Sequence, residues 1–322
     1  MDRMPIRLLG VGQTLDRSFQ LYRTLFTPLF LLTLLAFSPF YLISNLLLID
    51  IGALSVFPKF DGFENLESFW LSRFPEQLFS GGIDLWIKIA GTVLLALLLA
   101  FVALPLHLAT GVILANRAID GEETGLVSAF REALKRYWRV LGNGLLFWLI
   151  CIGIYVGVMT ANGMLSLLYG AVVMSSAALS PSSAAATVSG VIFLVMYLVF
   201  TYAGTLAYYY FVIRFGMFLP PVLFENEGVG IGRSWSLTRK SFWPLLGIYF
   251  IFGVLMYAFS IAIVIVFAAL GVTITGLLSI LFLFCAILPA GLVVYTVAYR
   301  VQKLRCDGED IEHMLTAARG EA

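Results

Sequence analysis

Six apolar stretches, each long enough to cross a bilayer as a helix, constrain this chain more than any other feature of its sequence. They cover residues 25–49, 85–115, 140–173, 188–213, 242–270 and 274–299. A hydrocarbon core about 30 Å thick takes about 20 residues of helix, and in the absence of water a single span satisfies its backbone only as a helix. The third and fourth stretches exceed that length, so tilt or continuation beyond the bilayer is expected of them. Composition agrees, because 61% of the 322 residues are apolar, only 12% are charged, and the mean hydropathy is +0.96. A soluble domain carries roughly twice that share of charge. With 20 Lys+Arg against 19 Asp+Glu there is no basic excess for nucleic acid, and three Cys do not make a disulfide framework. The expected fold class is all-α integral membrane, with six transmembrane helices.

Lys and Arg are retained on the cytoplasmic side during insertion, so their distribution sets the orientation. Seventeen of the twenty fall in the first 24 residues, the second connection, the fourth connection and the C-terminal tail. The opposite side holds Lys59 and Arg73 in its first connection, with Lys88 beside Trp86 at the mouth of the second span. Both termini are therefore expected in the cytoplasm. The N-terminal apolar run is about twice a signal-peptide h-region in length and no small-residue cleavage site follows it, so it reads as a retained helix. In the acidic first outer connection Phe63, Leu66, Trp70, Phe74 and Leu78 recur at near-helical spacing, which suits an interfacial helix on the outer leaflet.

Self-similarity then organises the chain. Residues 17–29 align without a gap to residues 233–245, and Arg, Ser, Leu, Arg, Phe, Pro and Leu coincide. A weaker copy runs from Ser128 to Val140, with aromatic residues in matching places. Each copy has helical apolar spacing with cations between: Leu15, Phe19, Tyr22 and Phe26; Leu126, Phe130, Leu134 and Tyr137; Ile231, Trp235, Thr238 and Phe242. Residues 14–26, 126–138 and 230–242 are accordingly expected to be amphipathic helices on the cytoplasmic surface, each leading into a hairpin of two spans. Proline after the first and third copies fits the first turn of the next helix. The inward spans end alike, at Arg117, Arg214 and Arg300. One membrane domain over 1–322 results, with repeat units at about 8–120, 121–226 and 227–310 and a cytoplasmic tail at 311–322.

These residues resemble a known family. Arg214, Pro220, Pro221 and Glu225, then Gly232, Arg233, Trp235 and Arg239, then Phe242, Pro244 and Gly247 look like the membrane domain attached to some bacterial glycerophosphoryl diester phosphodiesterases, and like its stand-alone relatives of unassigned function. Tyr299, Arg300, Arg305, Gly308 and Ile311 resemble the segment that closes that domain. The likeness covers most of the chain loosely and the third unit and tail well. The soluble phosphodiesterase barrel, with its His and acidic metal-site residues, has no counterpart here, so the resemblance implies a bacterial plasma membrane without implying hydrolase activity.

Chemistry-bearing motifs are few. No HExxH, Cys/His cluster, GxSxG or GxxxxGK[ST] occurs, which points to a chain that is not an enzyme and takes no cofactor or metal. Gly228, Gly230 and Gly232 follow Glu225 and Glu227 rather than a buried strand, so a flexible approach to the third surface helix accounts for them better than a phosphate loop. His107, two residues after Pro105 in the second span, is the intramembrane polar group that most invites a function. A bond to a carbonyl or small polar side chain near the proline is its plainer role. Asn143 and Asn162 are the other intramembrane polar candidates, and neighbouring helices can satisfy both. The small residues Gly153, Gly157 and Ala161 make a stripe that is expected to pack inside the monomer. His313 is expected to be solvated in the tail.

The expected function is an accessory or membrane-organising component of the bacterial cell envelope; the alternative is a channel or permease-like component moving a small solute or lipid. A polar cavity lined by His107, Asn143 and Asn162 would favour the second, a closed apolar core the first. Arg17, Arg23, Arg233 and Arg239 are expected to contact lipid headgroups, at about 1 kcal/mol for each charge near an anionic leaflet. Arg131 and Lys135, partly neutralised by Asp120, Glu122, Glu123 and Glu132, are expected to contact an unidentified protein partner on the cytoplasmic face.

Overall fold

The computed structural model describes residues 9–48, 83–122, 125–179, 184–225, 228–239, 241–269 and 273–308. Among them every regular element is a helix. In chain order they are α1 (Val11–Leu48), α2 (Ile83–Leu98), a π-helical turn (Leu99–Ala103), α3 (Leu104–Ile119), α4 (Leu126–Lys135) and α5 (Tyr137–Leu179). There follow α6 (Ala184–Gly216), α7 (Leu219–Phe224), α8 (Gly230–Thr238), α9 (Phe242–Ala269) and α10 (Thr273–Asp307). Six helical stretches are long and apolar enough to cross a membrane: Val11–Ser44, Trp86–Ile119, Tyr137–Ala171, Gly190–Phe224, Phe242–Val266 and Leu281–Cys306. The helix expected in the first outer connection and the tail at 311–322, with His313, lie outside the described residues.

Local chemistry explains several boundaries. Pro105 lacks the N–H that would bond the carbonyl of Phe101 four residues back. The hydroxyl of Tyr137 donates to that carbonyl instead, at 2.5 Å, and the backbone before the proline widens into the π-helical turn. After α3, Gly121 takes a left-handed φ of 74°, its N–H bonds the carbonyl of Ala118 and that of Glu122 bonds Arg117. This is the glycine-terminated helix end in which a Cβ would be strained.

One expectation about boundaries is corrected. The first copy of the repeat is not a separate surface helix, since α1 runs unbroken from Val11 through Pro28 and Pro39 to Leu48. Leu25, only 1% exposed, holds the helix in register where the third copy has Ser241, whose N–H closes a turn on Thr238 between α8 and α9. The other two copies contain separate short helices, α4 and α8.

The chain packs as two compact units, Met1–Leu141 with Trp243–Ala322, and Gly142–Phe242. In the first, α10 is the central helix: 56% of its most apolar stretch is buried, against at most 17% in each of the other spans. It runs antiparallel to α1, where Tyr22 donates to the carbonyl of Ala286 at 2.8 Å, Phe30 meets Phe282, and Arg305 donates to the carbonyl of Leu9 at 2.7 Å. It runs parallel to α3, where Gly111 admits Leu292 and Arg300 bonds Asn116. Lipid is as apolar as leucine, so such a core is held by close packing and hydrogen bonds rather than by exclusion of water. The large apolar side chains left outside, Leu35, Trp86, Phe250 and Tyr257 among them, suit that solvent.

The second unit is an antiparallel pair, α5 and α6, with α7 and α8 packed on its residues. Tyr155 meets Tyr208, Tyr169 meets Phe193, and a Cβ on Gly204 would stand 2.9 Å from Val158. Among the described residues of this unit, the expected packing of the small-residue stripe on α5 is not seen at its two glycines. Gly153 and Gly157 are exposed with open space beyond their Cα atoms, and the close approach falls at Gly204 on the facing helix instead.

Candidate functional site

Three arginines end the second, fourth and sixth spans, and each is anchored differently. Arg117, in the last turn of α3, donates to Ser128 at 2.7 Å and to Glu132 at 2.8 Å, both on α4. Glu132 also pairs with Arg136 at 3.3 Å. Arg300 on α10 donates to Asn116 at 2.7 Å and binds Asp120. These carboxylates come from the acidic residues expected to neutralise α4, so they are engaged with the span ends instead. Arg131 and Lys135 are exposed and have no ion pair among the described residues.

Arg214, near the end of α6, is 8% exposed and lies over two rings, Tyr210 at 5.1 Å and Trp235 at 4.8 Å. Its Nε and Nη1 are buried with no hydrogen-bond partner among the described residues. The backbone there is fixed from α8, because Ser234 and Thr238 both donate to the Arg214 carbonyl, at 2.7 and 3.3 Å. Tyr210 stands four residues before Arg214 on the same helix face, a relation visible in the sequence; Trp235 comes from a helix that no local spacing connects to it.

The remaining cations expected at headgroups divide. Arg23 and Arg239 are exposed, Arg17 is half-buried, and Arg233 donates through Nε to Glu225 at 2.9 Å. On α4 the alanines Ala129 and Ala133 face inward, fully buried, while Val127, Phe130 and Leu134 are 73%, 41% and 53% exposed.

His107, Asn143 and Asn162 do not form one site. Asn143 clamps the glycine segment before α8: its Nδ2 donates to the carbonyl of Gly228 at 3.1 Å and its Oδ1 accepts from the N–H of Gly230 at 2.9 Å. Gly230 itself has no room for a side chain, since a Cβ there would stand 2.2 Å from the carbonyl oxygen of Phe218. The segment expected to be flexible is thus pinned. Asn162 lies about five turns further along α5, about 28 Å away. It donates to the carbonyl of Val158 at 2.9 Å and accepts from Thr201 at 2.8 Å, tying the hairpin together.

His107 is 1% exposed and meets Phe37 edge-on at 5.1 Å. The carbonyl bond expected for it is absent, because both ring nitrogens lack partners among the described residues. The proline-freed carbonyl that would have served is taken by Tyr137. Thr110, one turn on, likewise has a buried hydroxyl without a side-chain partner, as does the amide of Gln302 on α10. Sequence reading missed Thr110 and Gln302, whose neutral side chains in apolar helices look unremarkable until their partners are sought.

Among the described residues no three His, Cys, Asp or Glu side chains gather to hold a metal, and Cys151, Cys285 and Cys306 form no disulfide there. The helices and their apolar surfaces define the class, a multi-pass α-helical membrane protein. Compared with known proteins, the chain matches no protein-family model, no curated protein and no solved structure.

Proposed function

We propose that this chain is a non-enzymatic, membrane-organising component of the bacterial plasma membrane, with both termini cytoplasmic and short cationic helices lying in the inner headgroup layer. The observation that carries the reading is the arrangement of α4: small alanines turned inward, large apolar side chains turned outward beside the exposed Arg131 and Lys135. A helix so arranged needs an apolar covering with anionic groups at its edge, and the inner leaflet supplies both. The repeat supports the same placement for α8 and for the N-terminal part of the long helix α1. Ser18 and Ser234, Leu21 and Leu237, and Leu29 and Leu245 are buried at matched positions, and Arg23 and Arg239 are exposed at matched positions. Arg23 and Arg239 are therefore the headgroup contacts we favour, with Arg17 beside them, while Arg233 is already neutralised by Glu225.

Single cysteines introduced as Arg131→Cys and Arg239→Cys in a cysteine-free background should react with a membrane-impermeant maleimide in inside-out vesicles and stay unlabelled in intact cells. The reverse pattern would overturn the orientation. Charge reversal at Arg131 and Lys135 tests the protein partner: loss of a co-purifying protein with insertion intact assigns α4 to that partner, and an unchanged set of co-purifying proteins leaves α4 to lipid.

A second reading, a channel or permease-like component, is favoured by one observation. His107 and Thr110 place unpartnered polar groups one turn apart on one face of α3 inside a span, where a polar solute would find donors and acceptors. Flux of small solutes into vesicles containing the purified protein, lost in His107→Leu, would establish it.

A further inference from the structure

Two of the three span-ending arginines have found an anion within the protein, Glu132 for Arg117 and Asp120 for Arg300. Arg214 occupies the corresponding place in its span and has no carboxylate among the described residues. Burial takes its charge out of water, and the rings of Tyr210 and Trp235 meet part of that cost through their faces. Ring faces are poor acceptors for N–H groups, however, so the donors on Nε and Nη1 remain unfilled. Each of these nitrogens shares with Nη2 one of the two edges of the guanidinium fork, the edges that pair with two oxygens of a carboxylate or phosphate. The hydroxyls of Ser234 and Thr238 are not rival donors, because Ser234 donates to the Arg214 carbonyl, holding α8 and hence Trp235 against the end of α6, and Thr238 shares its hydrogen between the Ser234 carbonyl at 2.9 Å and that of Arg214 at 3.3 Å. Trp235 is itself 37% exposed, so the outer wall of the arrangement is a ring that can be reached and displaced.

We propose that Arg214 is the binding site for a phosphate oxyanion, flanked by Tyr210 and Trp235, which supplies from outside the chain the negative charge that Glu132 and Asp120 supply at the other two span ends. The phosphate of a lipid headgroup and free inorganic phosphate share this chemistry. The site stands whether or not the chain organises the envelope.

The full-length protein, stripped of lipid in a neutral detergent, is titrated separately with phosphatidylglycerol, phosphatidylcholine and inorganic phosphate, and bound mass is counted by native mass spectrometry. One tightly held phosphatidylglycerol or one phosphate is expected on the wild type, with affinity reduced about tenfold or more in Arg214→Gln and partly kept in Arg214→Lys, which retains charge without the fork. Retention of the lipid without inorganic phosphate assigns the site to a headgroup, and the converse assigns it to the free ion. Should Arg214→Gln fail to fold, Trp235→Leu carries the same test, since it alters an exposed ring and is expected to weaken binding about threefold. Equal binding by wild type and both variants, or binding of no probe by the wild type, overturns the proposal.

Discussion

In the unit formed by Gly142–Phe242, two asparagines buried in a long apolar helix have their amides bonded to other parts of the same unit, Asn143 to the backbone before α8 and Asn162 to Thr201 across the hairpin. In the unit formed by the two ends of the chain, His107, Thr110 and Gln302 are as deeply buried, yet the ring nitrogens, the hydroxyl and the amide have no partner among the described residues. The arginines that end the spans follow the opposite rule. The first unit pairs Arg117 and Arg300 with carboxylates, whereas the second leaves Arg214 to aromatic rings. Buried polarity with partners holds a fold together; buried polarity without them is a standing cost that something else must offset. The comparison therefore separates structural polar residues, Asn143 and Asn162, from the ones to which a ligand or function is worth assigning, His107 and Arg214.

The sharpest break should come at the backbone contact on which the second unit depends. Gly230→Ala drives a methyl group into the Phe218 carbonyl oxygen, which cannot move away as a side chain can, and we expect a loss of about 3 kcal/mol in unfolding by a denaturing detergent. The matching change in the first unit, Gly111→Ala, meets the mobile end of Leu292 at 2.5 Å and should cost about 1 kcal/mol. Equal losses would remove the distinction between a backbone clamp and a side-chain contact.

Asn143→Ala comes next, at about 2 kcal/mol, because it strands the buried N–H of Gly230 as well as deleting two hydrogen bonds. A change within measurement error would mean that the clamp is dispensable and that Asn143 deserves a functional reading after all.

The smallest expected effect has the opposite sign. His107→Leu removes two unpartnered polar atoms from an apolar site of similar size, and we expect stability to rise by about 1 kcal/mol in lipid-free micelles. A loss of stability there would show that the imidazole has a partner in the folded protein, and the contrast between the two units would narrow.

The six spans were legible because hydropathy over twenty residues averages away local detail, and that average is what the bilayer selects. Boundaries were less so. Proline at the same place in two copies suggested a break in both, but Pro28 sits inside α1 while the third copy breaks at Ser241, three residues before Pro244; the difference lies in a buried Leu25 where the third copy has serine. The outward face of α4 was half visible: Phe130 and Leu134 belong to the periodicity, whereas the buried Ala129 and Ala133 carry almost no hydropathy signal. The anchoring of Asn143 and the ring over Arg214 were not legible at all, since their partners lie 85 and more residues away, or on a helix whose docking no spacing rule reveals. His107 could be picked out as unusual, but whether its nitrogens were satisfied depended on Tyr137 having already taken the carbonyl of Phe101.

The central position of α10 sets a timetable for biogenesis. It is the last helix in chain order and the one that α1 and α3 pack against, while the residues that make the second unit all emerge before it. During synthesis, which proceeds from the N-terminus at about 5–20 residues per second, the hairpin of α5 and α6 can close while the first unit is still missing its middle. Throughout that interval Tyr22 has no Ala286 carbonyl to bond and Gly111 has no Leu292 to receive. The early spans must therefore wait in the membrane with an open seam, and a ribosome that stalls after Phe242 has emerged but before residue 281 leaves a chain whose second unit is finished and whose first can only be supplied with its missing helix from elsewhere.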